Sequence, residues 1–284
     1  VQQHMESRGV VLHLGSAVAA FSQSGEKVTA ELKTGQFIEA HVVILSAGVR
    51  PMVALAKEAG IELGEHGGIK VDTHMRTSDE HIFAAGDAVE TPHHILKGSF
   101  LTPLAGPANR EGRVAAENIM GRSTEYKTTQ GTSIVKIFDM VAGGTGATER
   151  QLKKEGTPFE AIHIHPSGHA GYYPGTAMMH LKLIFAPGTG RILGAQVAGY
   201  DGVDKRIDVL ATAVRANQTV YDLEDYELAY APPFGSAKDP INMAGFVASN
   251  VLRGDFRLWK AEEYPSNTEG SMIVDVRTEE EFAI

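Results

Sequence analysis

The chain has 284 residues, 26 Lys+Arg against 35 Asp+Glu for a formal charge of −9, 43% hydrophobic residues, 31 Gly, 12 Pro and no Cys. This composition lies outside the disordered class, its acidic balance argues against a nucleic-acid footprint, and the absence of cysteine removes disulfides, thiolate nucleophiles and Cys-ligated metals from these residues. No run approaches the roughly 18 apolar residues of a spanning helix and the opening residues lack a signal-peptide pattern, so a cytoplasmic chain of about two domains, without a membrane partner, is expected.

Residues 1–9 read as the last turns of a helix closed by Gly9, and 278–284 as a helix start, so the expectation is a segment of a longer polypeptide. Short β runs follow at 10–14, 18–21, 28–32, 37–40 and 42–45, separated by turn residues at 24–26 and 34–36. The run Val42-Val43-Ile44-Leu45 is apolar on both faces, as a buried parallel strand would be. A helix over 52–59 closed by Gly60, strands at 69–72 and 81–84, and a helix over 107–120 come next. For that helix Gly106 suits the cap, Pro107 the first position and Gly121 the end.

From about residue 130 the pattern changes to a second unit. A strand at 134–138 precedes a capping box at Thr148-Glu149-Arg150-Gln151 and a helix ended by Gly156. Strands at 159–164, 178–185 and 192–199 and helices at 203–216 and 240–252 complete an α+β unit. The stretch Gly143-Gly144-Thr145-Gly146 lacks the third glycine of a dinucleotide loop and is read as a turn. His163 and His165, with His169 nearby, have no carboxylate of ligand spacing, and no metal is expected. His93 and His94 are read as loop residues. A further strand is expected at 272–277.

The most specific stretch is Thr77-Ser78-Asp79-Glu80-His81-Ile82-Phe83-Ala84-Ala85-Gly86-Asp87, a strand running into Gly-Asp. A glycine there lets a cofactor approach the backbone, and an acidic neighbour can accept sugar hydroxyls. The stretch resembles the second flavin-contacting motif of the two-dinucleotide-binding flavoprotein disulfide reductases, in which the Asp bonds the ribityl chain of FAD. Leu45-Ser46-Ala47-Gly48-Val49-Arg50-Pro51 is similar to the exit from that family's nicotinamide domain, with Gly48 near NAD(P)H. Pro103-Leu104-Ala105-Gly106-Pro107-Ala108-Asn109-Arg110-Glu111-Gly112-Arg113 resembles the segment that sets a helix N-terminus under the isoalloxazine. A helix N-terminus favours negative charge there.

In the second unit, His169-Ala170-Gly171-Tyr172-Tyr173-Pro174-Gly175 and Tyr230-Ala231-Pro232-Pro233-Phe234-Gly235-Ser236-Ala237-Lys238-Asp239-Pro240 resemble the dimerisation domain of CoA-disulfide reductases. There two tyrosines of the partner subunit reach the catalytic thiol. The resemblance gives those roles to Tyr172 and Tyr230, with Tyr172 preferred over Tyr173 because its separation from Tyr230 fits the pattern better. It assigns Lys238 to a CoA phosphate and Asn109 to substrate. It implies cofactor contacts at Gly48, Ile82, Phe83, Gly86, Asp87, Leu104 and Ala105. Ile273-Val274-Asp275-Val276-Arg277-Thr278-Glu279-Glu280-Glu281-Phe282 resembles the opening of a rhodanese domain.

The implied fold is α/β and α+β: a remnant of two-dinucleotide-binding, Rossmann-like FAD/NAD domains followed by an α+β dimerisation domain. The expected divisions are 1–46, the end of an NAD(P)-binding domain; 47–125, the closing part of an FAD-binding domain; 126–256, the dimerisation domain; and 257–284, a linker and rhodanese start. The implied parent is a homodimeric, FAD-dependent, NAD(P)H-driven reductase of CoA disulfide, persulfide or polysulfide. Its Gly-rich loops and redox cysteine are not in these residues, so the chain alone is expected to be inactive. An NADH oxidase or peroxidase of the same fold, and a non-catalytic dimerisation module, are the alternatives.

Overall fold

The computed structural model describes residues 1–259 and 270–283. Most of the linker expected from 257, and Ile284, therefore lie outside the described residues.

The first half is built from small sheets. Helix α1 (Gln2–Ser7) is followed by an antiparallel meander of β1 (Val18–Ser24), β2 (Lys27–Leu32) and β3 (Phe37–Ala40). Its turns use Gly25 and Gly35 at φ +63° and +83°, where a side chain would be strained. Helix α1 docks elsewhere, because His4 Nε2 and Arg8 Nη2 reach the Asp139 carboxylate at 2.9 and 2.6 Å. Helix α2 (Ala54–Glu58) precedes a second sheet in which β4 (Ile69–Lys70) pairs parallel to β5 (Val89–Pro92), and β5 pairs antiparallel to β6 (Ser99–Leu101). Helix α3 (Ala105–Ile119) covers it through Val114 and Ala115, which pack with Met75, Val89 and Tyr126.

Several expected strands are not ladders. Residues 42–45 have no hydrogen-bonded neighbour among the described residues, and Ile44 is 84% exposed. An apolar run supplies burial energy, but a strand exists only where another strand takes up its N–H and C=O groups. Residues 10–14 and 272–277 are likewise irregular, and 81–84 retains only an isolated bridge between Phe83 and Arg76. Helix α3 starts earlier than expected, with Leu104 rather than Gly106 at the N-cap and Pro107 inside the first turn. Proline is tolerated there because the first-turn N–H groups have no intrahelical acceptor.

The second half holds the main core. Strands β7 (Ser133–Ile137), β8 (Met140–Gly146), β9 (Glu160–Ile164), β10 (His180–Phe185) and β11 (Ile192–Gly199) form an antiparallel sheet in the order β7-β8-β11-β10-β9. Strand β8 stands where a turn was expected. Its glycines hide it from strand propensity, yet Gly143 is what allows close approach, since a Cβ there would lie 2.9 Å from Ile207 Cγ1. Between β8 and β9, α4 (Glu149–Glu155) opens on the expected capping box and closes on Gly156 at φ +68°.

Helices α5 (Val203–Arg215), α6 (Val220–Glu224) and α7 (Pro240–Arg253) bury Val203, Ile207, Leu210, Val220, Leu223, Ile241 and Ala244 against Leu181, Leu183, Phe185 and Val197 of the sheet. The opposite face of β10 presents Ile184, which packs with Leu152 of α4, Leu193 and Leu96. Alternate residues of β10 thus enter cores on both sides, as a central strand covered on both faces requires. The terminal α8 (Glu279–Phe282) completes the described elements.

Candidate functional site

The first group of expected contacts gathers around a cleft of about 410 Å³ lined by Val49, Arg50, Pro51, Met52, Ala85, Asp87, Ala88, Leu101 and Pro103. The chain reaches it from three directions: the turn after Gly48, the Gly86-Asp87 turn, and the segment leading into α3. Gly48 and Gly86 sit at φ +92° and +90°, a left-handed backbone that favours glycine. Asp87 is exposed at the cleft, so its carboxylate is placed to accept hydroxyl hydrogen bonds.

The turn is held from behind by Glu111, which the sequence reading did not single out. This side chain is 3% exposed and accepts a hydrogen bond from Gly86 N at 2.9 Å through Oε2. Burial pushes its carboxyl above the ordinary glutamate value, while the Gly86 N–H pulls it back. The available signal was its place on α3 opposite the small residues at 84–86.

Leu104 and Ala105 open onto a neighbouring cavity of about 920 Å³ that also takes in Pro107, Arg110, Thr128 and Arg215. Leu104 gives no side-chain cap, so the first amide groups of this 15-residue helix keep their affinity for negative charge. A flavin's polyol fits the Asp87 carboxylate and its electron-rich ring edge fits this open helix end. Ile82 and Phe83 line neither cavity; Phe83 packs into the small core beneath, with the Arg76 guanidinium 5.4 Å above its ring. Asn109 is exposed and its Nδ2 donates to Ala105 O at 2.9 Å, within its own helix.

The second group lies on two loops of the sheet domain. Tyr172 and Tyr230 share a hydrogen bond 3.2 Å long between their hydroxyls, although far apart in the chain. They are 77% and 48% exposed, so the pair faces outward rather than into its own core. The bond with Tyr172 pushes the Tyr230 phenol above the ordinary tyrosine value, the sense produced when Tyr230 Oη donates and Tyr172 Oη accepts. Tyr173 turns the other way and packs edge-on against buried His169, with ring centroids 5.7 Å apart. Lys238 is exposed beyond Phe234 and does not line the cavity of about 410 Å³ beside Tyr230, which is formed by Asp201, Lys205, Arg206, Ala231, Pro233 and Phe234 among others.

Among the described residues no cluster of metal-ligating side chains occurs. His165 and His180 instead pair with each other through Nδ1 atoms 2.7 Å apart. No described helix is long and apolar enough to cross a membrane.

The chain is similar to known proteins over most of its length. Residues 1–102 match the family described as pyridine nucleotide-disulphide oxidoreductase, and residues 132–239 match the dimerisation domain of the same family. The NAD(P)H sulfur oxidoreductase (CoA-dependent) of Pyrococcus furiosus is 38% identical over 228 residues, covering 80% of this chain and 50% of that protein. The coenzyme A disulfide reductase of Staphylococcus aureus is 32% identical over 249 residues, covering 87% of this chain and 56% of that protein. Among solved structures, reduced Bacillus anthracis CoADR-RHD superposes with a TM-score of 0.91 at 45% identity, over 94% of this chain and 48% of that one. The chain spans about half the length of the curated relatives it matches.

Proposed function

The chain belongs to the pyridine nucleotide-disulphide oxidoreductase family, and from that membership we propose that it is part of an FAD-dependent, NAD(P)H-driven reductase of CoA disulfide or CoA persulfide. The observation that carries the substrate class is the outward-facing phenol pair, Tyr172 and Tyr230, joined at 3.2 Å. In this reading the sheet domain mediates a homodimer and presents the pair to the site of the partner subunit, as a two-fold arrangement allows. The domain divisions expected from the sequence belong to the same reading, as does a rhodanese start at 272–282.

Asp87 and Gly86 would hold the polyol of FAD, the open first turn of α3 at Leu104 and Ala105 would face its ring, and Gly48 would lie near the nicotinamide. When bound, the flavin supplies the relay of an electron pair from NAD(P)H to sulfur. The sequence holds no cysteine, so the thiol that forms the mixed disulfide would come from outside these residues.

The tyrosines act on the departing thiolate. A thiol loses its proton near pH 8.5 and a tyrosine near 10, both approximate, and the Tyr230 phenol is raised further. Tyr230 therefore stays protonated and gives its one O–H to Tyr172 Oη, which leaves the Tyr172 O–H to donate a hydrogen bond to the leaving sulfur. Tyr230, bonded to it, orients that hydroxyl, while Lys238 and Asn109 would meet the rest of the CoA substrate.

The test is turnover of CoA disulfide by Tyr230→Phe in the flavin-loaded enzyme. The expected result is slower turnover with flavin reduction by NAD(P)H unchanged; disulfide turnover at the original rate removes the assignment.

A further inference from the structure

We propose that Arg206, aided by Lys205, is a positioning residue that sets the spacing of the Tyr172–Tyr230 pair by tying together the two loops that carry it. The inference rests on the role given to that pair above and adds the device that holds it.

Arg206 is among the largest fully buried side chains, 1% exposed, on the first turn of α5. A guanidinium taken out of water is costly unless its donors are met, and here they are met by both tyrosine loops and by the N-cap of α5. Nε and Nη2 form a fork on Asp239, at 3.2 Å to Oδ1 and 2.8 Å to Oδ2. The same Nη2 donates to Gly168 O at 3.1 Å, and Nη1 to Gly202 O at 3.3 Å. Gly168 opens the loop bearing Tyr172, and Asp239 closes the loop bearing Tyr230. One side chain therefore bonds both.

The neighbouring residue repeats the pattern. Lys205 Nζ donates to Ala229 O, directly before Tyr230, at 3.2 Å, and lies 3.6 Å from Asp239 Oδ2. The loops also touch directly, through Ala170 N donating to Gly235 O at 2.9 Å. The seat is shaped for the guanidinium: Gly202 stands at φ +68°, and a Cβ on it would strike Arg206 Nη1.

Packing alone does not call for this arrangement. A buried ion pair can often be replaced by apolar residues without loss of stability, and α5 fills its other inward positions with Val203, Ile207 and Leu210. What the clamp adds is register between two loops. The phenol–phenol bond of 3.2 Å is already at the long end of the hydrogen-bond range, so a shift of about 1 Å would break it.

The experiment is an ultraviolet pH titration of tyrosine ionisation in the purified chain, comparing wild type, Tyr230→Phe, Tyr172→Phe, Arg206→Lys and Lys205→Met. Wild type should contain a high component belonging to the pair, which ionises above the ordinary tyrosine value and disappears in both phenylalanine variants, beside one from Tyr226, raised by burial, that persists in all variants. Arg206→Lys keeps a positive charge beside Asp239 but loses the fork. It should lose the high component too, while its circular dichroism and thermal cooperativity stay those of wild type. A merely structural arginine would not produce that combination.

A folded Arg206→Lys variant that retains the pair's component, the one lost in the phenylalanine variants, overturns the proposal, as does a wild-type profile without it. Should Arg206→Lys not fold, Lys205→Met decides: a lowered component supports the clamp and an unchanged one overturns it. In the flavin-loaded enzyme, Arg206→Lys should lower kcat for CoA disulfide by about a hundredfold, the cost of an ångström-scale misplacement, with KM and flavin reduction little changed. If Tyr230→Phe leaves turnover intact, the functional reading falls, whereas the titration still decides whether Arg206 positions the pair.

Discussion

Glu111 offers the sharpest test of how the cofactor turn is held. Its Oε2 accepts the Gly86 N–H at 2.9 Å, its Oε1 lies 3.5 Å from Thr91 Oγ1, and the side chain is 3% exposed. In Glu111→Ala the Gly86 donor loses its acceptor, at about 1–3 kcal/mol. The one lost methylene adds about 0.8 kcal/mol, so a destabilisation of roughly 2–4 kcal/mol is expected. Glu111→Gln keeps an acceptor for Gly86 N and removes the buried charge, and should stay within about 1 kcal/mol of wild type.

The two variants also separate packing from charge. The Glu111 carboxyl is raised above its reference of 4.5, first by burial. Its favourable contribution to stability is therefore present below that reference and is lost as pH rises through the folded value. Glu111→Gln has no such loss, so its stability relative to wild type should improve from acid to neutral pH. Urea unfolding at several pH values measures both effects, and flavin retention reports the Asp87 turn. Equal stability of the Ala and Gln variants, or a Gln-to-wild-type difference that does not move with pH, would refute the reasoning.

His93, held neutral at about 4 chiefly by burial, accepts the amides of Ile95 and Leu96 at 3.1 and 3.0 Å. Because its folded value is depressed, its contribution is full above about 6.5 and is lost as pH falls toward 4. Discounted for partial exposure, the loss should be roughly 1–2 kcal/mol, and His93→Gln should flatten that acid limb in urea titrations. Gly143→Ala forces a methyl to 2.9 Å from Ile207 Cγ1 and should cost about 1–3 kcal/mol by overpacking, seen as a lower Tm; an unchanged Tm would show that α5 yields freely. Thr148→Ala removes the acceptor that Gln151 N uses at 3.3 Å, and a loss of about 1 kcal/mol should appear in chemical denaturation. No loss would mean that the capping box is redundant.

The sequence by itself determined whatever depends on neighbours along the chain. The capping box at Thr148 and Gln151, the Gly156 stop, the glycine turns of the meander and the strands of the main sheet other than β8 were legible because each is a local conformational preference. The motif spacing also carried the resemblance to the family that the comparisons support. Only the tertiary structure decided that 42–45 is not a ladder, that the glycine-rich 140–146 is a strand, and that Glu111 and Arg206 stand behind the two candidate sites. The reason is the same in each case. Ladder pairing, close approach at a glycine and the solvation of a buried charge are set by atoms remote in sequence, and periodicity contains no record of which atoms those are.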